Sequence, residues 1–207
     1  MNILRIDSSV RVDNSKTRIL TDFFIEELAK HKTINLCNRD VGLNTPSLPT
    51  NEYILANYTP DKDRTDSMKD ILKPSDILIT ELLDAEAIVI ASPMYNFSIS
   101  TPLKIYIDNI VRIGKSFIIN DKGEMKGLLS GKKLIVITSR GAMSYEAGEI
   151  LHSLDFQENY LTAVFSFLGL TDISFVHTEA QDFGSEELKS NNFIESQQSL
   201  VELAKTW

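Results

Sequence analysis

The sequence predicts an α/β fold in which five parallel strands alternate with helices and form a doubly wound sheet. Short apolar runs bounded by turn or polar residues recur along the chain, and each is followed by a longer segment with helical spacing of its apolar residues. The chain has 207 residues, of which 43% are hydrophobic, and one core can organise a chain of this size. We therefore expect a single domain over residues 1–207.

The five strands differ in how clearly the sequence marks them. Residues 2–6 form a brief apolar run that ends in a polar loop, and residues 33–36 give a weaker second strand. Residues 87–91 and 134–138 are continuous apolar runs, as expected of central parallel strands that helices cover on both faces. Residues 173–177 are predicted as the last strand.

Five longer segments show apolar residues at three- and four-residue spacing, which is typical of amphipathic helices. They are residues 16–30, 66–83, 101–113, 155–169 and 186–205. Ser15 stands where a hydroxyl could cap the first of these helices. Pro74 falls inside the second, and we expect it to break or kink that helix because its ring removes an amide donor.

Two segments depart from the alternation of strands and helices. Residues 38–63 contain one glycine and three prolines with little periodicity, which indicates a long surface excursion with one short helix near residues 51–57. Residues 115–130 contain two apolar pieces around Asp121-Lys122-Gly123, and this turn sequence predicts an inserted β-hairpin.

Composition argues against several classes of partner. Lys and Arg number 21 against 29 Asp and Glu, for a net charge of -8, so no basic surface for nucleic acid or anionic lipid is expected. The single cysteine, Cys37, excludes an intrachain disulfide and indicates a reducing compartment, the cytoplasm. We interpret it as a small packing residue. The three histidines, His31, His152 and His177, lack metal-ligand spacing, and no metal site is predicted.

In an open α/β sheet, ligands bind outside the carboxyl ends of the strands, which directs attention to the loops 7–17, 92–100 and 139–148. The first loop has neither glycine-rich nucleotide motif. It offers hydroxyl groups immediately before a helix, and these could hold a phosphate monoester together with the free amides of the first turn. Plain helix capping is the alternative interpretation of the same residues.

The second loop places Met94, Tyr95 and Phe97 at the end of a buried strand, with Asn96 among them. Such residues suit a flat heteroaromatic ring, although they could equally pack beneath their own loop. The third loop offers backbone amides of Arg140, Gly141 and Ala142. Each loop alone is a weak signal, and their joint placement at adjacent strand ends is stronger.

Three stretches of the sequence resemble one known family over essentially the whole chain. SSxRxxxSxT, ASPMYNFSISTPLKIYIDNIVRIGKSF and GKKLIVITSRGA resemble the FMN-dependent NADH-azoreductases, a branch of the flavodoxin-like quinone reductases. The resemblance implies a flavodoxin-like sheet of strand order 2-1-3-4-5, a homodimer, non-covalent FMN, NADH or NADPH as electron donor, and quinone or azo substrates. The residues themselves leave NADH and NADPH open.

The resemblance also implies a set of cofactor-binding residues. Ser9, Ser15, Lys16 and Thr17 would hold the FMN phosphate; Met94, Tyr95, Asn96 and Phe97 would line the isoalloxazine; and Ser139, Arg140, Gly141 and Ala142 would meet its pyrimidine side. The chain departs from the family's usual residues at Ala142, where glycine is common, and at Lys16-Thr17. Alanine keeps the amide but adopts positive φ at higher cost. Lys16 is expected to point toward solvent.

The implied mechanism needs no catalytic side chain, since hydride chemistry belongs to the flavin. NAD(P)H and the acceptor would use one flavin face in turn, which predicts ping-pong kinetics. The alternatives to this enzyme are a flavodoxin-type electron carrier, a receiver-type signalling module and a non-catalytic dimerisation module. A homodimer is also expected from apolar residues on two helices that point around more than one stripe. These are Tyr160, Phe165, Phe167, Tyr106, Ile107 and Ile110.

Overall fold

The computed structural model describes residues 1–207 and shows a five-stranded parallel sheet with helices on both faces. The main strands are β1 (Asn2–Asp7), β2 (Asn35–Asp40), β3 (Ala87–Pro93), β6 (Lys133–Ser139) and β7 (Asp172–Thr178), and a hairpin contributes β4 (Phe117–Ile119) and β5 (Met125–Gly127). The helices are α1 (Lys16–Ala29), α2 (Asn51–Tyr58), α3 (Asp66–Asp84), α4 (Thr101–Ile110), α5 (Phe156–Phe167) and α6 (Glu186–Thr206).

The sheet has the order β2-β1-β3-β6-β7, and every neighbouring pair is parallel. When the hairpin strands are left out of the count, this is the expected order 2-1-3-4-5. The predicted doubly wound α/β fold is confirmed. No helix is both long and apolar enough to cross a membrane.

Alternate residues of the central strands enter two separate cores, as the two-residue period of a strand requires. Ile88 and Ile90 of β3 pack with α3, α4 and α5, whereas Val89 packs on the opposite face with α1 and α6. All residues of β3 are buried. The continuous apolar run that predicted this strand therefore reflects helices on both faces.

The second strand lies further along the chain than predicted, at Asn35–Asp40 instead of residues 33–36. It is a polar edge strand that pairs in register with β1, with Asn35 opposite Asn2 and Asp40 opposite Asp7. Hydrogen bonds between its backbone and that of β1 make this segment a strand, and its other edge faces solvent. Cys37 is exposed on this strand, so its interpretation as a packing residue is wrong.

Helix α3 runs without interruption through Pro74, and the expected break is wrong. Pro74 lies on the exposed side of the helix, while Leu78, Ile79 and Leu82 on the other side enter the core. Burial of that apolar face stabilises the helix against the loss of one backbone hydrogen bond.

The predicted hairpin is confirmed: β4 and β5 pair antiparallel, and Gly123 in the turn has a φ of 80°. The hairpin joins the domain through Gly127, where a Cβ atom would lie only 1.9 Å from the carbonyl carbon of Leu168. The amide of Leu129 then donates to the Leu168 carbonyl oxygen at 2.9 Å. Close backbone approach therefore explains the glycine at position 127.

Part of the sequence argument for a dimer is wrong. Tyr106, Ile107 and Ile110 of α4 are buried within the chain, as is Phe165 of α5. The structure instead exposes other apolar side chains at the carboxyl edge of the sheet. They are Val10, Val12, Phe97, Met143, Ile150, Phe156 and Phe183.

Replacing Pro74 by alanine should raise the free energy of unfolding by roughly 2–2.6 kcal/mol. A proline in a helix interior costs about 3 kcal/mol relative to alanine, and the larger entropy of the unfolded alanine chain offsets about 0.4–1 kcal/mol of the gain. Urea unfolding followed by circular dichroism measures the change. The exposed neighbour Lys73→Ala should shift stability by less than about 0.5 kcal/mol. A less stable Pro74→Ala protein would contradict this account.

Candidate functional site

The loops after β1, β3 and β6 meet at the carboxyl edge of the sheet and enclose a cleft with two connected parts. A polar cavity of about 120 Å³ lies beside the first turn of α1. A larger slot of about 590 Å³ lies between the loops after β3 and β6. Four residues line both parts: Met94, Tyr95, Gly141 and Asp182. The cleft is therefore continuous from a polar end to an apolar end.

The polar cavity combines hydroxyl groups, cationic side chains and the start of a helix. Its walls include Ser9, Arg11, Asn14, Ser15, Lys16, Thr17, Pro93, Ser139 and Gln181. The predicted phosphate residues Ser9, Ser15, Lys16 and Thr17 are thus brought together. Lys16 is exposed, and its ammonium group also lies 5.1 Å from the centre of the Phe193 ring.

No side chain caps the first turn of α1. Ser15 occupies the N-cap position in an extended conformation, but its hydroxyl accepts no capping hydrogen bond, so the expected cap is wrong. Its Oγ instead lies 3.3 Å from Oγ1 of Thr17. No acceptor within the chain meets the amides of Lys16, Thr17 and Arg18. These free amides, at the positive end of the helix dipole, face a cavity lined by hydroxyls and favour an anion there.

Arg18 and Gly42 fix the backbone of the loop after β1. The Arg18 guanidinium donates to the Ser9 carbonyl oxygen at 2.7 Å and to the two Asp40 carboxylate oxygens at 2.6 and 3.0 Å. A Cβ atom at Gly42 would lie 2.1 Å from the same Ser9 oxygen, so only glycine permits this approach. The Ser9 turn is therefore held from two sides.

A buried carboxyl lies beneath this loop. Burial raises the pKa of Asp7, and the neighbouring Arg5 and Arg18 oppose that rise without cancelling it. Arg5 donates to Asp7 at 2.8 Å. The charges beneath the loop are thus paired within the fold, which leaves Arg11 and Lys16 as the cations that line the cavity.

The apolar slot is formed largely by the loop after β3. Asn96 and Phe97 have φ values of 48° and 70°, which place both in the left-handed region that non-glycine residues rarely adopt. Backbone bonds between Tyr95 and Ser98 in both directions close this tight turn. The turn exposes Phe97 and leaves the amides of Asn96 and Phe97 without acceptors. Local strain of this kind is typical of binding sites.

Opposite this turn lies the loop after β6, which contributes fewer free amides than predicted. The Arg140 amide donates to the Thr178 carbonyl oxygen at 2.9 Å and is unavailable to a ligand, so that expectation is wrong. The amides of Gly141 and Ala142 have no acceptor in the chain. Ala142 does not adopt positive φ. Its departure from glycine therefore imposes no backbone strain.

The Arg140 side chain lies beneath the site and lines neither part of the cleft. It is buried, and its guanidinium contacts Asp155 at 2.7 Å and Glu179 at 3.1 Å. A hydrogen bond from His177 lowers the pKa of Glu158, whose carboxylate also lies 3.7 Å from Arg140. This cluster connects the ends of β6 and β7 with the start of α5 and supports the loop above it.

The sequence interpretation missed the segment after β7. Gln181 and Asp182 line the polar cavity, and Asp182 and Phe183 line the slot. Oε1 of Gln181 is buried without a hydrogen-bond partner. Tyr145 and Leu151 complete the slot wall. The strand-end rule that identified three loops applies equally to the end of β7, so this signal was present in the sequence.

Comparison with known sequences identifies similar proteins along the whole chain. A family described as having a flavodoxin-like fold matches residues 1–201. An FMN-dependent NADH:quinone oxidoreductase 1 of Trichormus variabilis is 39% identical over 208 aligned positions, which cover 100% of this chain and 97% of the relative. An FMN-dependent NADH:quinone oxidoreductase of a Nostoc species is 38% identical and covers 100% of this chain and 99% of its own.

Solved structures show the same fold at lower identity. An azoreductase from Bacillus anthracis str. Sterne superposes with a TM-score of 0.89 at 19% identity, covering 100% of both chains. An FMN-dependent NADH-azoreductase from Bacillus anthracis str. Ames Ancestor, solved in complex with FMN, gives a TM-score of 0.85 at 22% identity. That comparison covers 98% of this chain and 99% of the other. At these identities the superpositions establish the fold.

Proposed function

Since the chain belongs to the flavodoxin-like family of FMN-dependent NADH:quinone oxidoreductases, we propose that it transfers two electrons from NADH through bound FMN to quinones and azo compounds. The observation that carries the proposal is the continuous cleft. Its polar end offers free amides and hydroxyls, and its apolar end offers a slot with aromatic walls. A flat heteroaromatic ring attached to a phosphate has this distribution of polarity.

The residues present fit FMN without a metal ion. Free amides of Lys16, Thr17 and Arg18, with the hydroxyls of Ser9 and Thr17, supply donors for a phosphate. The slot supplies apolar contact for a ring system through Met94, Tyr95 and Phe97. The cofactor-binding residues proposed are therefore those predicted from the sequence, with Arg140 acting through its support of the loop.

When bound, FMN supplies the hydride acceptor and donor that the chain's own side chains lack. The protein contributes position and electrostatics. The amides of Gly141 and Ala142 can donate to negative charge that develops on a ring edge, as donors in an oxyanion hole do. Met94, Tyr95 and Phe97 exclude water from one wall of the slot. The electron-carrier alternative is not favoured, because the relatives are named as oxidoreductases that use NADH.

Steady-state kinetics test the proposed function. Donor and acceptor would both reach the flavin through the slot, so they should occupy it in turn. With FMN-saturated protein, NADH and a benzoquinone, double-reciprocal plots at several quinone concentrations should be parallel. Flavoprotein without NADH turnover would identify an electron carrier, and intersecting lines would contradict the shared slot. Colourless protein that binds no FMN would overturn the proposal altogether.

Thr17→Val should weaken FMN binding by about 10- to 150-fold, because loss of a hydrogen bond to a charged group costs roughly 1.5–3 kcal/mol. Riboflavin, which has no phosphate, should bind almost as before. Fluorescence quenching of each flavin measures both dissociation constants. Thr21→Val is the matched control, since Thr21 is buried one turn later in α1 and its hydroxyl has no partner. Equal losses for both flavins would show that this loop does not hold phosphate.

A homodimer is also proposed, with the partner chain covering the mouth of the slot. Ile150 and Phe183 are 88% and 85% exposed, and Phe97 and Phe156 lie at the same edge of the sheet. Contiguous apolar surface of this kind usually marks an interface, and a permanent dimer buries about 2,000 Å² or more. The lone free Cys37 supports the cytoplasm as the compartment.

Light scattering at micromolar concentration should give twice the chain mass of 23.3 kDa, with and without FMN. Ile150→Asp should shift the protein toward monomer, because it places a charge in the covered surface, whereas Met125→Asp on the exposed hairpin should not. A fully active monomer would overturn the shared-mouth proposal and leave the flavin assignment standing.

A further inference from the structure

Asp182 is the one charged residue in the wall of the slot. The other lining residues are apolar, aromatic or uncharged: Met94, Tyr95, Asn96, Phe97, Tyr145 and Phe183, among others. The side-chain hydrogen bonds of this segment belong to Glu179 and Gln181, and no bond or ion pair engages the Asp182 carboxylate. Asp182 is exposed and also lines the polar cavity, whose walls include Arg11 and Lys16, so its carboxylate lies at the junction of the two parts without a direct ion pair.

The fold holds this carboxylate in place. The amides of Gln181, Asp182 and Phe183 donate to the carbonyl oxygens of Arg140 and Gly141 at 3.0 to 3.1 Å. The segment from β7 is therefore bonded along the loop after β6. Backbone hydrogen bonds on both sides of Asp182 leave its Cα little freedom, so its side chain starts from a fixed point of the slot wall.

Gly141 makes room for the carboxylate. A Cβ atom at position 141 would lie 2.8 Å from Oδ2 of Asp182 and 3.3 Å from its Cβ. Gly141 does not have positive φ, so backbone conformation does not require glycine there. A side chain at position 141 would instead displace the Asp182 carboxylate from its present place. Because Gly141 has no side chain, the Asp182 carboxylate can lie against its backbone in the wall of the slot.

From this arrangement we infer that Asp182 determines the charge selectivity of the slot, favouring planar aromatic acceptors that carry a positive charge over anionic ones. The inference rests on the proposed function for the identity of the reaction. A carboxylate in the slot wall lies close enough to a bound ring for its charge to act on the substituents of the ring, and salt screens this interaction. A cationic ring substituent is attracted, an anionic one is repelled, and a neutral one is unaffected.

Binding of redox-inert probes tests the inference directly. The probes are the trimethylammonium and sulfonate derivatives of naphthalene, with naphthalene methanol as the neutral reference, titrated into FMN-saturated protein at low ionic strength. Asp182→Asn should lower the preference for cation over anion by about tenfold or more, and salt should reduce the preference of the unaltered protein. Binding of the neutral probe should not change.

Asp121→Asn in the hairpin turn is the control, because it changes net charge equally at an exposed site remote from the slot. A preference that shifts no more in Asp182→Asn than in this control overturns the inference. Asp182→Ser should reproduce the shift, so the result does not depend on one variant. Flavin content, measured by absorbance, verifies that each variant is saturated with FMN.

Turnover separates failure of the inference from failure of the proposed function. Azobenzenes bearing a trimethylammonium or a sulfonate group should show the same shift in the ratio of their kcat/KM values. Asp182→Asn could still reduce a neutral quinone with NADH while its ratio of kcat/KM for the cationic and anionic azobenzenes stays unchanged. That result would overturn the role of Asp182 and leave the proposed reaction standing. Absence of turnover in every variant, with probe selectivity intact, would instead overturn the proposed reaction.

Discussion

The site depends on backbone hydrogen bonds that continue between neighbouring segments of the sheet beyond the last residues of the strands. The Ser8 amide donates to the Ala91 carbonyl oxygen, Met94 to Ser139, and Arg140 to Thr178, all within 3.0 Å. These bonds connect the ends of β1, β3, β6 and β7 across the sheet. Because β2 lies on one side of β1 and β3 on the other, the loops after β1 and β3 diverge and leave a crevice between them.

Most of the fold could be predicted from the sequence, because burial on both faces makes the central strands continuous apolar runs. The misplaced strand β2 could not, since its residues are polar and only pairing with β1 makes it a strand. Helix α3 passes through Pro74 because tertiary burial of its apolar face outweighs a local preference. Ser15 is a second position where a local preference failed as a prediction. Its place before α1 predicted a capping hydrogen bond, but its hydroxyl makes none and the residue lines the polar cavity.

The parts of the candidate site that lie directly after a single apolar strand could be predicted from the sequence. The loops containing Ser9, Tyr95 and Gly141 each begin at the end of an apolar run and do converge. The strand-end rule indicates the loop after β7, but the place of Asp182 within the cleft depends on hydrogen bonds to the loop after β6, which no local sequence pattern predicts. The same holds for Arg140, whose side chain is buried among carboxylates that arrive from α5 and β7.

The electrostatics of the cleft favour one orientation of a ligand that has a phosphate at one end. Arg11, Lys16 and the open turn of α1 attract an anion at the polar end. Asp182, at the junction of the two parts, is the one charged residue of the slot wall, and no cation lines the slot. A phosphate placed in the slot would lose the cations and the helix start of the polar end and would meet a carboxylate. This distribution of charge favours the uncharged ring in the slot, whose walls offer the strained turn at Asn96 and Phe97 and the free amides of Gly141 and Ala142.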